Sequence, residues 1–164
     1  MDRKEQKKIA LYEDELYGAE EQKEEEFQFV AFLISGEWYG VRVEETREII
    51  AYPHITYLPH APKYIAGITN LRGNILSVTD LKKIFGLPDS EITQNSRIIV
   101  VESKGIRTGI LADKVLDVVF IPKSKIEPPL ETIEAAKVVF LDGCFSTNSK
   151  FVGILKIDEI FQIK

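Results

Sequence analysis

The sequence offers a single cysteine, Cys144, for covalent cross-linking. One thiol cannot close an internal disulfide, and a reducing cytoplasm is the compartment that such usage suits. Histidine is nearly as scarce. His54 and His60 lie six apart in a proline-bearing stretch, where neither helical nor strand spacing gathers them on one metal ion. No HExxH, CxxC, phosphate-cradling glycine loop or GxSxG elbow occurs. Long apolar runs are missing as well. The longest, Phe29 to Ile34, falls far short of the ~20 residues a membrane helix needs. The opening MDRKEQKK runs into acidic sequence, so no secretion segment is visible. A basic surplus is the last absence. Residues 1–26 carry five basic and ten acidic side chains, whereas residues 27–164 carry sixteen of each, so the tail accounts for the whole net charge of −5. A neutral body lacks the cationic excess that binding to phosphate backbones requires. These absences predict a protein without metal, cofactor, nucleic-acid partner or catalytic constellation. Cys144 reads as a buried thiol, because no basic neighbour would lower its pKa.

What is present is β-forming. The chain of 164 residues is 45% hydrophobic, enough for one domain or for two small domains sharing a core. FQFVAFLI and EWYGVRV flank the turn candidate Ser35-Gly36 and read as a hairpin. The segment YPHITYLPHAPKY is a loop punctuated by Pro53, Pro59 and Pro62. NILSVT is a strand, and DLKKIFG is a helical turn begun by Asp80 and stopped at Gly86. RIIVVE and GIRTGILA form a second hairpin about Lys104-Gly105. KVLDVVFI, AKVVFLD and KFVGILK read as further strands, and IDEIFQI as a terminal helical turn. The tail, residues 1–26, reads as a frayed, solvated segment ending in a self-repelling carboxylate run. The alternative is one short amphipathic helix through Ile9, Tyr12 and Leu16.

The chain repeats itself. GVRVEETREII (40–50) matches GILADKVLDVV (109–119) in its glycine, its acid and its closing aliphatic pair. ILSVTDLKKIF (75–85) matches FVGILKIDEIF (151–161) in its closing Ile-Phe. Two halves, roughly 27–87 and 96–163, therefore repeat the order hairpin, long segment, strand, short helix. Chance likeness between any two β hairpins is the competing explanation. The agreement in order favours two related barrels packed together.

One segment stands apart. Gly67-Ile68-Thr69-Asn70-Leu71-Arg72-Gly73-Asn74 sets a charged side chain between glycines, just before a strand. Asn70 and Gly73 can supply a positive-φ turn that fixes Arg72 at a barrel rim with its five donors free. An ordinary surface arginine is the plainer account. GITNLRGNILSVTDLKKIFGL, with FVAFLISGEWYGVRVEETREII, ITYLPHAPKYIAG and RIIVVESKGIRTGILADKV at suitable distances, resembles the CheW family of bacterial chemotaxis adaptors from Phe27 to about Ile163. The tail lies outside the resemblance.

The resemblance implies a mainly β fold of two intertwined, five-stranded, SH3-like barrels with short helices, in a domain covering 27–164 behind a flexible or partly helical tail. It implies a non-enzymatic scaffold that couples the helical tips of transmembrane chemoreceptors to the regulatory domain of the histidine kinase CheA. Such a protein would be cytoplasmic, without membrane insertion of its own, and recruited to receptor arrays through its partners. Carried over residue by residue, the receptor groove falls on Val43, Thr46, Ile49 and Val115, and the motif positions on Gly67, Asn70 and Arg72. Plain core packing is the competing account of Val43, Ile49 and Val115. No residue can be assigned to the kinase contact. Two departures stand out. Thr46 replaces an aliphatic residue in the groove, and Lys156 stands where a second aspartate would match Asp80. The rival readings are an adaptor for a non-motility signalling kinase and a small β-barrel enzyme. The enzyme would need titratable groups converging near His54, His60 and Cys144.

Overall fold

The computed structural model describes residues 2–13, 24–131 and 133–163. Ten strands carry the body: β1 (Glu26–Ile34), β2 (Glu37–Arg42), β3 (Thr46–Ala51), β4 (Ile65–Leu71), β5 (Asn74–Thr79), β6 (Arg97–Ser103), β7 (Ile106–Ala112), β8 (Lys114–Pro122), β9 (Leu141–Thr147) and β10 (Lys150–Leu155). Among the described residues four α-helices accompany them: α1 (Arg3–Glu13), α2 (Leu81–Phe85), α3 (Ala135–Val138) and α4 (Ile157–Phe161). The strands form two five-stranded sheets, ordered β8-β1-β2-β10-β9 and β3-β6-β7-β5-β4. Each sheet nearly closes on itself. Glu127, just beyond β8, bridges Cys144 of β9, and Thr56, beyond β3, bridges Ile68 of β4. Closure hides the sheet edges that would otherwise recruit other strands.

The connectivity follows from the repeat. The first sheet combines the β1–β2 hairpin with β8, β9 and β10, and the second combines the β6–β7 hairpin with β3, β4 and β5. Each half of the chain thus lends its hairpin to the barrel built by the other half. All four two-residue hairpin turns, Ser35-Gly36, Arg72-Gly73, Lys104-Gly105 and Asn148-Ser149, have positive φ at both residues. That conformation matches the twist of the strands they join.

Three apolar cores result. Phe29, Ile121, Phe145, Val152 and Ile154 fill the first barrel, and Leu76, Val78, Ile98, Val100 and Leu111 fill the second. A larger cluster lies between them and draws Phe32, Ile34 and Val41 from one barrel and Ile99, Val101 and Ile110 from the other, with Leu81, Phe85 and Ile157 from the helices. Strand alternation explains this sorting. Successive side chains of β6 point to opposite faces, so Ile98 and Val100 enter their own barrel while Ile99 and Val101 enter the shared core. The two barrels are welded by this middle layer.

Several local expectations need correction. β3 and β4 are strands, paired with β6 and β5, where the sequence reading gives a connecting segment and a turn. AKVVFLD is not a single strand. Ala135–Val138 is a helical turn, with the Lys137 and Val138 amides donating to the Glu134 carbonyl at 2.9 and 3.2 Å, and β9 begins only at Leu141. The detour lets Phe140 reach the edge of Phe85, 5.9 Å away between ring centres. Within the tail, Arg3–Glu13 is helical, which is the alternative reading of that segment and not the frayed one; Leu16 lies outside the described residues. The end of the carboxylate run is engaged rather than loose. The Ser124 hydroxyl donates to Glu24 Oε2 at 2.8 Å, and the Lys123 amide donates to the Glu25 carbonyl at 2.9 Å.

Candidate functional site: an interbarrel groove and the Arg72 turn

The groove candidates occupy the chain crossings between barrels. Val43 opens a 3-10 turn (Val43–Glu45) that carries the chain from β2 to β3, and Thr46 ends it. Val115 occupies the matching place at the start of β8. The internal repeat is visible in the pairing: Thr46 lies opposite Val101 as Val115 lies opposite Phe32. The four residues are not equivalent in exposure. Ile49 is 42% exposed, whereas Val43 and Val115 are half-buried and pack against the shared core. Val43 and Val115 therefore take part in core packing, while Ile49 keeps much of its side chain exposed.

Thr46 carries less polarity than its name suggests. Its hydroxyl donates to the Arg42 carbonyl at 3.0 Å, spanning the 3-10 turn. A hydroxyl satisfied within the chain does not need a donor or acceptor from a partner. Sequence reasoning overlooked β8 beyond Val115. Val118 and Phe120 stand exposed two residues apart on the same face of that strand. The alternation of KVLDVVFI was the available signal.

The motif residues have different tasks. Gly67 is structural. A Cβ at this position would collide with the Thr56 carbonyl oxygen and the Ile55 side chain. Its counterpart in the other barrel is Gly143, where a Cβ would lie 2.7 Å from the Glu127 carbonyl oxygen. Both glycines admit the bridging strand that closes a barrel. Asn70 does not adopt positive φ, contrary to expectation. It stays in β4, and its Oδ1 accepts from the Gly73 amide at 2.9 Å, while Arg72 and Gly73 take φ of +52° and +85°. The turn holds Arg72 with its side chain 77% exposed and its Nη1 2.9 Å from Glu48 Oε2. The other carboxylate oxygen of Glu48 is buried and has no hydrogen-bond partner among the described residues. Arg72 thus sits where β3, carrying Ile49, meets the β4–β5 turn.

Electrostatics mark the turn from β2 to β3. Burial pushes the Glu45 carboxyl above the usual carboxylate range; Arg42 opposes this, and Asp158, Asp142 and Glu44 add to it. Asp142 is met by Arg42 at 3.7 Å and Lys156 at 4.0 Å, and Asp158 by Lys104 at 3.6 Å. Among the described residues no ion pair reaches Glu44 or Glu45.

The groups an enzyme would need are kept apart. His54 and His60 lie in the loop beside the second barrel, and Cys144 lies in β9 of the first. Burial and then Glu127 raise the Cys144 thiol, which disfavours a nucleophilic thiolate. A recess of about 370 Å³ at His54 is otherwise lined by Pro53, Thr56, Ile68, Thr69, Asn70 and Ile75, none of which titrates. No helix among the described residues is long and apolar enough to cross a membrane.

The CheW-like domain family model matches residues 28–164, which is nearly the whole β body. The chain belongs to the CheW-like domain family. Among curated relatives, the chemotaxis protein CheW of Bacillus subtilis is 28% identical over 135 residues, covering 82% of this chain and 86% of its own. CheW of Helicobacter pylori is 29% identical over 143 residues, covering 87% and 86%. The crystal structure of the scaffolding protein TtCheW from Thermoanaerobacter tengcongensis superposes with a TM-score of 0.76 at 35% identity, covering 85% of this chain and 95% of that one. This CheW-like protein is accordingly a chemotaxis adaptor and not an enzyme. The family match begins at residue 28, so α1 and the carboxylate run precede it.

Proposed function

We propose that this CheW-like protein couples the cytoplasmic tip of a transmembrane chemoreceptor to the regulatory domain of a CheA-type histidine kinase, working in the cytoplasm and reaching receptor arrays through these partners. The observation that carries this reading is the family match over residues 28–164. Receptor tips are helical, and an apolar groove that accepts one face of a helix is a recurrent recognition mode. Val43, Thr46, Ile49 and Val115 would line that groove, with Asn70 and Arg72 at its rim and Gly67 supporting the rim from behind. Ile49 would supply the largest gain. Removing its remaining exposed surface from water is worth up to about 1 kcal/mol, a fraction of the 1.5–3 kcal/mol for a fully buried aliphatic side chain. The adaptor then acts through geometry: the welded barrels cannot shift independently, so the receptor's state reaches the kinase through one rigid body.

The test is a pair of binding measurements, one with a soluble receptor-tip fragment and one with a purified CheA regulatory domain. Ile49→Asp should abolish the first and spare the second, with an unchanged circular dichroism spectrum. Normal receptor binding by folded Ile49→Asp would remove β3 from the groove.

A further inference from the structure

The helix that precedes the family match carries the opposite charge from the turn at the head of the groove. Arg3, Lys4, Lys7 and Lys8 lie at i, i+1, i+4 and i+5 of α1 and share one face of it. Residues 2–8 are exposed, so none of these cations is taken up by the barrels in the state described. Glu44 and Glu45 follow Val43 without an ion pair among the described residues, and Glu45 is half-buried. A half-buried carboxylate is costly; Arg42 offsets only part of that cost for Glu45, and a further cation brought beside it relieves more.

The tail is also anchored in the right place. Glu26 pairs with Pro122, and Glu24 is held by Ser124. Phe27, the next residue of β1, has the Arg42 guanidinium over its ring at 5.5 Å, and Arg42 is the last residue before the turn. The chain therefore leaves the barrel beside the acidic turn itself. Ten residues separate α1 from Glu24, and a chain of ten residues reaches at most roughly 35 Å.

We propose that α1 is an intramolecular strap whose basic face docks on Glu44 and Glu45 and covers Val43 at the mouth of the interbarrel groove. The docking needs no partner. Its consequence, competition with a receptor helix, rests on the proposed function above.

The experiment uses the full chain with a nitroxide attached at Gln6→Cys, on the far side of α1 from the basic face; buried Cys144 does not compete for the label. At low ionic strength the amide signals of residues 43–49 should broaden, while those of the distant Asn148-Ser149 turn should not. High salt, or the combined Lys4→Glu, Lys7→Glu and Lys8→Glu changes, should abolish the broadening, and Glu44→Lys with Glu45→Lys added to that variant should restore it. No selective broadening, or broadening indifferent to salt and charge reversal, overturns the strap. In parallel, a receptor-tip fragment should bind the charge-reversed chain several-fold more tightly than the natural one. Docking with equal affinities overturns the competition, whereas failure of both chains to bind overturns the groove reading and leaves the docking intact.

Discussion

Arg72 and Gly67 sit five residues apart in one motif and illustrate two ways a side chain can matter. The ion pair of Arg72 with Glu48 is largely exposed, so it contributes less than about 1 kcal/mol to folding. Arg72→Ala should therefore leave the melting temperature nearly unchanged while weakening capture of the kinase or receptor fragment in a pulldown. A fall of many degrees would instead mark Arg72 as structural. Gly67→Ala should do the reverse, because its Cβ would force the Thr56 bridge apart. Thermal denaturation should show a loss on the order of 3 kcal/mol, the scale of core overpacking. Glu45 tests the electrostatics. Its raised pKa means that the folded state holds the proton more tightly than the unfolded chain, so the penalty is fully present above the raised value and fades as pH falls through it. Glu45→Gln should melt higher than the natural chain at pH 7, and the difference should shrink as pH falls and vanish only well below about 4.3, where the unfolded-state carboxyl is also protonated. Equal melting at both pH values would contradict the burial of Glu45.

At the scale of elements, α2 and α4 are the equivalent helices of the repeat with their charges exchanged. Asp80 caps α2 by accepting from the Lys82 amide at 3.1 Å, and its carboxylate also lies 3.0 Å from Lys82 Nζ, which is 4% exposed. Lys156, at the same place before α4, makes no side-chain cap. Asp80 therefore does two jobs. Losing a cap alone costs ~1 kcal/mol, but stranding a buried ammonium costs about 3–5 kcal/mol. Asp80→Ala should accordingly destabilise beyond a simple capping loss, and Asp80→Ala with Lys82→Met should recover most of the difference in a chemical denaturation series. The hairpins were the most legible elements, because turn residues with positive φ and alternating strands signal themselves locally. β3, β4 and α3 were not. Their local patterns do not single them out, and each is fixed by what it lies against: β6, β5, and Phe85 through Phe140.

The whole molecule depends on exchanged hairpins. Neither half of the chain holds a complete barrel, since β1–β2 belongs with β8–β10 and β6–β7 with β3–β5. Fragments cut within the loop 86–96 should each lack near-ultraviolet dichroism and dispersed amide signals alone, yet regain both on mixing. Independent folding of either fragment would contradict the shared core. The same architecture explains why this region is hard to read from sequence: Thr46 and Val115 are far apart in the chain and take equivalent places in the two barrels only because the halves interlock.

The sequence by itself determined the β class, the internal repeat, the hairpin turns and the Asp80 cap, since each rests on periodicity or on the conformational preference of a few adjacent residues. It also carried the family resemblance, through motifs at characteristic spacing. Only the tertiary structure decided which hairpin joins which barrel and that Gly67 serves closure. It also showed that Thr46 spends its hydroxyl on its own turn, and that Glu45 lies half-buried without an ion pair among the described residues. Those outcomes depend on contacts between segments distant in the chain, where burial and close approach, which have no local signature, outweigh the preferences of any single stretch.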